Sequence, residues 1–465
     1  MSDIVYGSKM SDAEGLMWRL EKDPQLSSTF GTVTLLDRAP DFELLTARLL
    51  RATLTMPRLR QRVQTTPGNI GAPTWVNDPD FDINMHVRRL ALPKPGSERQ
   101  LFDLASLICA DPFDRSRPLW QFTVIEGLQN DRAAIIQKLH HTIADGESGV
   151  QLSLEYLDFE RNAAQPITPS PDEIDSAYED LRDADTKAAD AVRDVLASGL
   201  RFPLEVAKQV KELLADPGQL SHASNAAGDT FRGIISQLSD TDAAHSPLWT
   251  GRSARRRIEH ATAPLDSTKA AAEALGGTLN IAFITIASEA ASRYHVALEA
   301  PVDFLRSSMA ISTRTEESGA NAFSLVRLLV PANEMPIDER FHSIQKAATH
   351  AIEASSNTSL DALAAMTSAM PTSLITRLAR QQSQTVDFAT SNVRGAPVPL
   401  YVAGAKLLHN VPIGPLSGVA FNLTLLSYNG HLDMGLNSDV AAVREPELLK
   451  ACLTDSISAF TDLAG

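Results

Sequence analysis

An acidic, alanine-rich tract in the middle of the chain separates two regions that each mix helix and strand signals. From about Ala163 the composition shifts to Pro, Asp, Ala and Ser, in AAQPITPSPDEIDSAYEDLRDADTKAADAV, and the tract runs roughly to Leu214. The chain has 465 residues, which is more than one hydrophobic core usually serves. We therefore predict an α/β protein with mixed α+β sheets in two halves, residues 1–162 and 255–465, joined by a helical crossover over residues 163–254.

Local signals predict strands and helices in both halves. WQFTVIE, residues 120–126, alternates apolar side chains as a strand does, and AAIIQKLHH, residues 133–141, predicts a second strand that ends in two histidines. In the second half, Thr278 is positioned to cap a helix through LNIAFITIASEAASRYH. Asn429-Gly430 lies between alternating apolar runs, and because this dipeptide favours a type I′ turn we predict a β-hairpin there.

Charge and composition exclude some classes of function. The formal net charge is -15 and the isoelectric point is about 5.2, so nucleic-acid binding, which needs a basic face, is not expected. The two cysteines, Cys109 and Cys452, lie far apart in the sequence, which indicates a reducing compartment and no disulfide framework. The first residues carry no apolar secretory segment, and no apolar run approaches the roughly 20 residues that cross a bilayer. We expect a cytoplasmic protein that can still lie against a membrane.

The stretch KLHHTIADGESG, residues 138–149, concentrates candidate chemistry at the end of the predicted strand. Adjacent histidines on a strand point to opposite faces, so they cannot easily bind one metal ion, and no HExxH spacing or cysteine pair supports a metal site. No G-x-S-x-G elbow supports a serine hydrolase. A third reading is that one histidine is a base acting directly on a bound nucleophile, while Asp145 and Gly146 shape the turn into the next helix. The local chemistry does not decide between a histidine base and the alternative that both histidines are ordinary polar residues whose hydrogen bonds are satisfied.

The segment HHTIADG is similar to the HHxxxDG motif of the CoA-dependent acyltransferase superfamily. Its surroundings resemble the bacterial wax ester synthase/diacylglycerol acyltransferase family, and the resemblance covers most of the chain except the Ala/Asp-rich middle. An ordered set of blocks carries it, which makes it more specific than the motif alone. These blocks are APTWVNDPDFDINMHVRRLALPKPG, RSRPLWQFTVIEGL, SPLWTGRSARRR, TLNIAF, MAISTR, TSNVRGAPVPLYVAGAKL and LLSYNGHLDMGLNSD.

The resemblance implies two halves that each resemble chloramphenicol acetyltransferase, with the active site in a tunnel where they meet. It implies that His141 is the general base, deprotonating the hydroxyl of a fatty alcohol or diacylglycerol that attacks an acyl-CoA thioester. Acyl-CoA is then a co-substrate, and no bound cofactor or metal is expected. Asn280, near the start of its helix, is expected to donate to the oxyanion. The other expected site residues are His140 and Asp145 in the motif and, as substrate contacts, Gly146, Trp120, Arg314 and Asn392.

The chain departs from the family pattern at three positions. The family's Asn-Asp pair is here Asn280-Ile281, and family prolines are replaced by Ala310 and Arg394. Loss of the carboxylate at position 281 removes a helix cap or an orienting partner for Asn280. Two alternatives therefore stay open: a related transferase acting on another lipid or polyketide-derived acceptor, and a low-activity lipid-binding homologue. Since both substrates are apolar, we expect peripheral association with the inner face of the membrane or with lipid bodies.

Overall fold

The structure is a computed structural model that describes residues 8–65, 73–144, 146–163, 169–170, 173, 246–312, 323–355 and 372–464. The predicted helical crossover over residues 163–254 therefore lies almost wholly outside the described residues, and it stays a prediction together with the domain boundaries at its two ends. The same holds for the expected roles of Asp145 and Arg314, which also lie outside this part of the chain.

Helices and strands are interspersed along the described residues. The helices are α1 (Asp12–Leu20), α2 (Phe42–Thr55), α3 (Glu98–Ala110), α4 (Gly146–Tyr156), α5 (Leu265–Ala274), α6 (Leu279–Ala297), α7 (Ile337–Ser355), α8 (Thr372–Ser383) and α9 (Pro446–Thr461). The strands are β1 (Thr29–Leu36), β2 (Gln61–Gln64), β3 (Thr74–Asn77), β4 (Val87–Ala91), β5 (Trp120–Glu126), β6 (Ala133–His140), β7 (Leu157–Asp158), β8 (Arg256–Pro264), β9 (Phe304–Ser312), β10 (Phe323–Pro331), β11 (Phe388–Arg394), β12 (Tyr401–Val402), β13 (Ala405–Ile413), β14 (Phe421–Tyr428) and β15 (His431–Asp439).

Two large mixed sheets organise these strands. The first has the order β4-β5-β6-β1-β13-β12-β7, and the second has the order β10-β9-β11-β14-β15-β8. Strands β2 and β3 form a separate antiparallel pair. Although β12 and β13 belong to the second half of the sequence, β13 pairs antiparallel with β1 in the first sheet. The second half of the chain therefore contributes strands to both sheets.

The local sequence signals in the second half are confirmed. Helix α6 begins after Thr278, whose side-chain oxygen accepts the backbone N–H of Ile281. Strands β14 and β15 pair antiparallel up to Tyr428 and His431, and Asn429 and Gly430 both have positive φ. A type I′ turn requires this conformation at both central residues, which is why Asn-Gly is favoured there.

Helix α6 is the central helix of the second half. It is apolar on nearly all faces and packs against α7 and α9, so its sequence lacks the one-sided pattern of a surface helix. Within the described residues no single helix is long and apolar enough to span a bilayer, and one bent pair, α5 with α6 at 97°, qualifies by length and composition only. Cys109 and Cys452 are both buried free thiols, as the absence of a disulfide framework requires.

Candidate active site

The end of strand β6 presents the two histidines. Strand β6 pairs antiparallel with β1, and Thr29 lies opposite His140 in this pairing. Beyond the strand, the backbone N–H of His141 donates to the Ser28 carbonyl oxygen, and the N–H of Ile143 donates to the His140 carbonyl oxygen. The chain therefore turns tightly after His140, and His141 is held at the end of β6, which lies between β5 and β1 in the first sheet.

His140 is fully buried and its imidazole is held on both sides. Its Nε2 lies 3.0 Å from Oε2 of Glu21, at the end of α1. Its Nδ1 accepts the backbone N–H of Thr142 at 3.2 Å. Because Nδ1 is the acceptor, the proton of a neutral ring lies on Nε2 and is donated to Glu21. His140 thus has a fixed orientation and both ring nitrogens engaged.

The Glu21 carboxylate is the anchor of this arrangement. Burial raises its pKa, but hydrogen bonds from His140, the Ser27 hydroxyl and the Ser28 amide together outweigh burial and lower the pKa to about 2. Glu21 therefore stays ionised at neutral pH and holds the imidazole by a charge-assisted hydrogen bond. Sequence reasoning missed this residue, because 119 positions separate it from His140 and no local pattern marks it.

His141 differs from its neighbour in its surroundings. It is partly accessible, whereas His140 is not, and its ring packs at 4.5 Å between centroids against the ring of Phe30 on β1. His141 follows the last residue of β6, a strand that is buried at every position, so the turn after the strand gives it a different environment from His140. Of the two imidazoles, only that of His141 is partly accessible from outside the core.

Asn280 lies in the first turn of helix α6 and is partly buried. Its side-chain Nδ2 donates to the Met309 sulfur on β9 at 3.1 Å. A thioether is a weak acceptor, so this donor can be given up at low cost to a better acceptor. Both α4, which follows the histidine motif, and α6 contact strand β11. One strand therefore lies between the helix that leaves the motif and the helix that carries Asn280.

The neighbouring Ile281 explains how the chain tolerates the loss of the family's acid. Its side chain is 9% exposed and belongs to the hydrophobic core of the second half. The Thr278 hydroxyl still accepts the Ile281 N–H, so the helix start keeps one of its two possible cap interactions. Apolar packing here takes the place of a carboxylate.

The remaining residues predicted to contact the substrate lie in different environments. Trp120 is 2% exposed, its indole N–H donates to the Leu59 carbonyl oxygen, and its ring stacks on His86. These contacts make Trp120 a packing residue of the first half. Asn392 lies on β11 and is exposed, and Gly146 is the first residue of α4. Their substrate contacts stay predictions.

An open groove lies at the segment that follows Glu21. It has a volume of about 620 Å³ and is lined by Lys22, Asp23, Pro24, Thr372, Ser373, Thr376, Arg377 and Arg380. Arg380 donates to both oxygens of Asp23, at 2.7 and 2.8 Å, which fixes α8 against the segment after α1. Lys22 and Arg377 are exposed in the groove. One of the two lining segments begins at Lys22, directly after Glu21. The groove and the carboxylate that holds His140 therefore lie on the same stretch of backbone.

Solved structures share this two-sheet mixed α/β fold. The wax ester synthase/diacylglycerol acyltransferase from Marinobacter aquaeolei matches with a TM-score of 0.67, covering 99% of this chain and 100% of that chain at 22% identity. A trichothecene 15-O-acetyltransferase from Fusarium sporotrichioides, TRI3, matches with a TM-score of 0.62, covering 98% of this chain and 94% of that chain at 12% identity. The predicted fold class is confirmed.

Sequence comparison then identifies the family. Residues 10–283 match the wax ester synthase/diacylglycerol acyltransferase catalytic domain, and residues 319–460 match the WS/DGAT C-terminal domain. A Mycobacterium tuberculosis protein named as a diacylglycerol O-acyltransferase is 32% identical over 481 aligned positions, covering 100% of this chain and 95% of that protein. The chain belongs to the wax ester synthase/diacylglycerol acyltransferase family, as its motifs predicted.

Proposed function

We propose that the protein is an acyl-CoA-dependent O-acyltransferase in which His141 is the general base and no covalent enzyme intermediate forms. The observation that carries this proposal is the opposite burial of two adjacent histidines, one locked by Glu21 and one accessible. His141 takes the proton of an acceptor hydroxyl while the hydroxyl oxygen attacks the thioester carbonyl carbon. The carbon–sulfur bond then breaks, and the CoA thiolate receives the proton back from the imidazolium. The products are an ester and free CoA, and His141 returns to its starting state.

The groove supports acyl-CoA as the donor. CoA carries phosphates, and the exposed cations Lys22 and Arg377 with the hydroxyls of Thr372, Ser373 and Thr376 match phosphate chemistry in an otherwise acidic protein. The segment from Lys22 to Ser28 runs from the groove to the backbone that holds His141. A donor anchored by its phosphates in the groove would have its thioester arm directed towards the histidine.

The acceptor that we propose is a diacylglycerol, a long-chain alcohol or both. The Mycobacterium tuberculosis relative is named for transfer to diacylglycerol, and the Marinobacter structure is named for both wax ester and diacylglycerol chemistry. Both acceptors offer a hydroxyl on an apolar molecule, which is the nucleophile that a histidine base activates. No step in this chemistry requires a metal or a bound cofactor.

Purified protein with palmitoyl-CoA and a panel of acceptors tests the function. We expect release of free CoA and formation of the matching ester in equal amounts with diacylglycerol or hexadecanol. The panel includes glycerol and a diol as other hydroxyl acceptors. Binding of palmitoyl-CoA with no CoA release and no ester would identify a lipid-binding homologue and refute the proposal.

A pair of arginine variants sharpens the same assay. Arg377→Ala removes a groove cation, so the KM for palmitoyl-CoA should rise about tenfold at low salt while kcat is unchanged. Arg51→Ala is the matched control, because Arg51 is an exposed arginine on α2 outside the groove. An equal KM for both variants would remove the groove from donor binding.

We also propose that the protein works on the cytoplasmic side at the surface of the membrane or of lipid bodies. Leu154 on α4 and Phe159 after β7 are exposed large apolar side chains, and Phe159 is 70% exposed. Asp158 pairs with Tyr401, which brings the segment of the exposed Val398 towards them. Leu154 lies on the helix that leaves the histidine motif, and we propose that the acceptor enters past these apolar side chains.

Vesicle flotation tests the membrane proposal. Wild-type protein should float with vesicles that contain diacylglycerol, and Phe159→Ser should lose most of that binding because it removes the most exposed ring of the patch. Leu107→Ser is the matched control, since Leu107 is also exposed but lies on α3. Wild-type protein that stays in the unbound fraction, or equal loss in both variants, would contradict this prediction.

A further inference from the structure

Two histidines and one aspartate from three different strands meet away from the histidine motif. They are His260 on β8, His409 on β13 and Asp433 on β15. His260 Nε2 lies 3.3 Å from Asp433 Oδ1, and His409 Nδ1 lies 2.9 Å from the same oxygen. All three candidate ligand atoms lie within 4.8 Å of one another. We propose that this cluster is a binding site for a divalent transition-metal ion, with zinc as its first candidate.

The spacing of the ligand atoms fits a tetrahedral ion. With bonds of about 2.0–2.1 Å to nitrogen and oxygen, the ligand atoms of a tetrahedral zinc site lie about 3.3 Å apart. The two nitrogen–oxygen separations to Asp433 Oδ1, 2.9 and 3.3 Å, are close to this value. Two imidazoles and one carboxylate are also a donor set that suits zinc and neighbouring transition metals and does not suit magnesium or calcium. Three protein ligands leave a fourth position for water.

The surroundings hold the aspartate as a ligand requires. Asp433 is 0% exposed, and its second oxygen, Oδ2, accepts the backbone N–H of Asn410 at 2.8 Å. A ligating carboxylate typically has such an outer hydrogen bond, which fixes its orientation. Oδ1 is the oxygen that both imidazoles face. The side chains of His260 and His409 are 11% and 33% exposed, so an ion can reach the cluster from solvent.

The backbone is also shaped to bring the ligands together. In the pairing of β1 with β13, Leu35 lies opposite His409 but Leu36 lies opposite Leu407, so an extra residue bulges from β13 beside His409. Bulges re-aim side chains and are frequent at functional sites. At Gly435, two residues after Asp433, an added Cβ would lie 1.7 Å from the Pro412 carbonyl oxygen, so only glycine permits this approach of β13. An ion here would join the first sheet to the second.

The competing explanation of the cluster is a hydrogen-bonded contact without a metal ion, in which both imidazoles donate to one carboxylate oxygen. Calorimetric titration of chelator-treated full-length protein with zinc separates the two. We expect one ion per chain in the wild type, and binding weakened by more than about 100-fold in His260→Ala and in His409→Ala, because loss of outer-shell partners alone costs 10- to 100-fold. His350→Ala, which removes an exposed histidine on α7, is the control and should bind as the wild type does.

Two further readouts make the test independent of folding defects. Cobalt substitution should give the absorption spectrum of a tetrahedral site in the wild type and lose it in Asp433→Asn. Zinc should raise the melting temperature of the wild type but not that of His409→Ala, since only a ligand bound to the native state stabilises it. The absence of stoichiometric binding in the wild type would overturn the proposal. Binding that survives His260→Ala would also overturn it, because it would then come from surface histidines such as His431, whose ring lies 6.2 Å from His409.

Discussion

The His141→Ala variant is expected to retain its fold and to lose about 10²- to 10⁴-fold in kcat for acyl transfer, the usual contribution of a positioned general base. The side chain is partly accessible and its ring packs against that of Phe30, so we expect its removal to cost less packing than removal of the buried His140 ring. The measurement is release of CoA from palmitoyl-CoA at saturating acceptor, corrected for the folded fraction by thermal melting. A variant that keeps most of the wild-type turnover would place the base elsewhere.

His140→Ala is the contrasting variant in the same experiment. It removes the ring that donates to Glu21, so an ionised and mostly buried carboxylate loses a hydrogen bond. A hydrogen bond to a charged group contributes about 1.5–3 kcal/mol. We therefore expect a clearly lower melting temperature, whereas His141→Ala should melt close to the wild type. If both variants lowered stability equally and turnover equally, the accessible histidine would have no distinct role.

The elements that the sequence predicts best are those whose signals are local. Asn429-Gly430 defines its hairpin because only a few residue types adopt positive φ at both turn positions. Thr278 marks the start of α6 because a short hydroxyl side chain satisfies a free N–H there. Each inference needs only neighbours within a few residues.

The features that the sequence does not predict join distant segments. Glu21 meets His140 across 119 positions, and the groove combines residues 22–24 with residues 372–380. The cluster of His260, His409 and Asp433 exists only because β13 leaves its own half and pairs with β1. Sequence motifs for metal sites depend on ligands spaced within one stretch of chain. They argue against an ion at His140 and His141, and they cannot reveal a cluster whose ligands come from three distant strands. Strand order and register determine these contacts, and neither can be predicted from local composition.

The Asn280→Ala variant is the second large effect that we expect, a loss of about 10²- to 10³-fold in kcat, typical of one oxyanion donor. The stability cost should be small, below about 1 kcal/mol, because the amide donates to the weakly accepting sulfur of Met309. Melting temperature and turnover at saturating palmitoyl-CoA and alcohol are measured on the same samples. A large fall in melting temperature with normal turnover per folded molecule would make Asn280 structural.

Asn280→Asp separates the donor from the shape of the side chain. It keeps the size of asparagine but replaces the N–H donors by a carboxylate, which is favourable near a helix N-terminus and unfavourable beside a developing oxyanion. We therefore expect a normal melting temperature and a loss of kcat at least as large as in Asn280→Ala.

Ile281→Asp addresses the neighbouring departure from the family pattern. It restores the family's pair but places a carboxylate where the wild-type side chain is 9% exposed in an apolar core. That variant should be less stable, and only a gain in turnover per folded molecule would show that isoleucine weakens catalysis. If Asn280 acts through its own N–H donor, Ile281→Asp should change the melting temperature far more than it changes kcat.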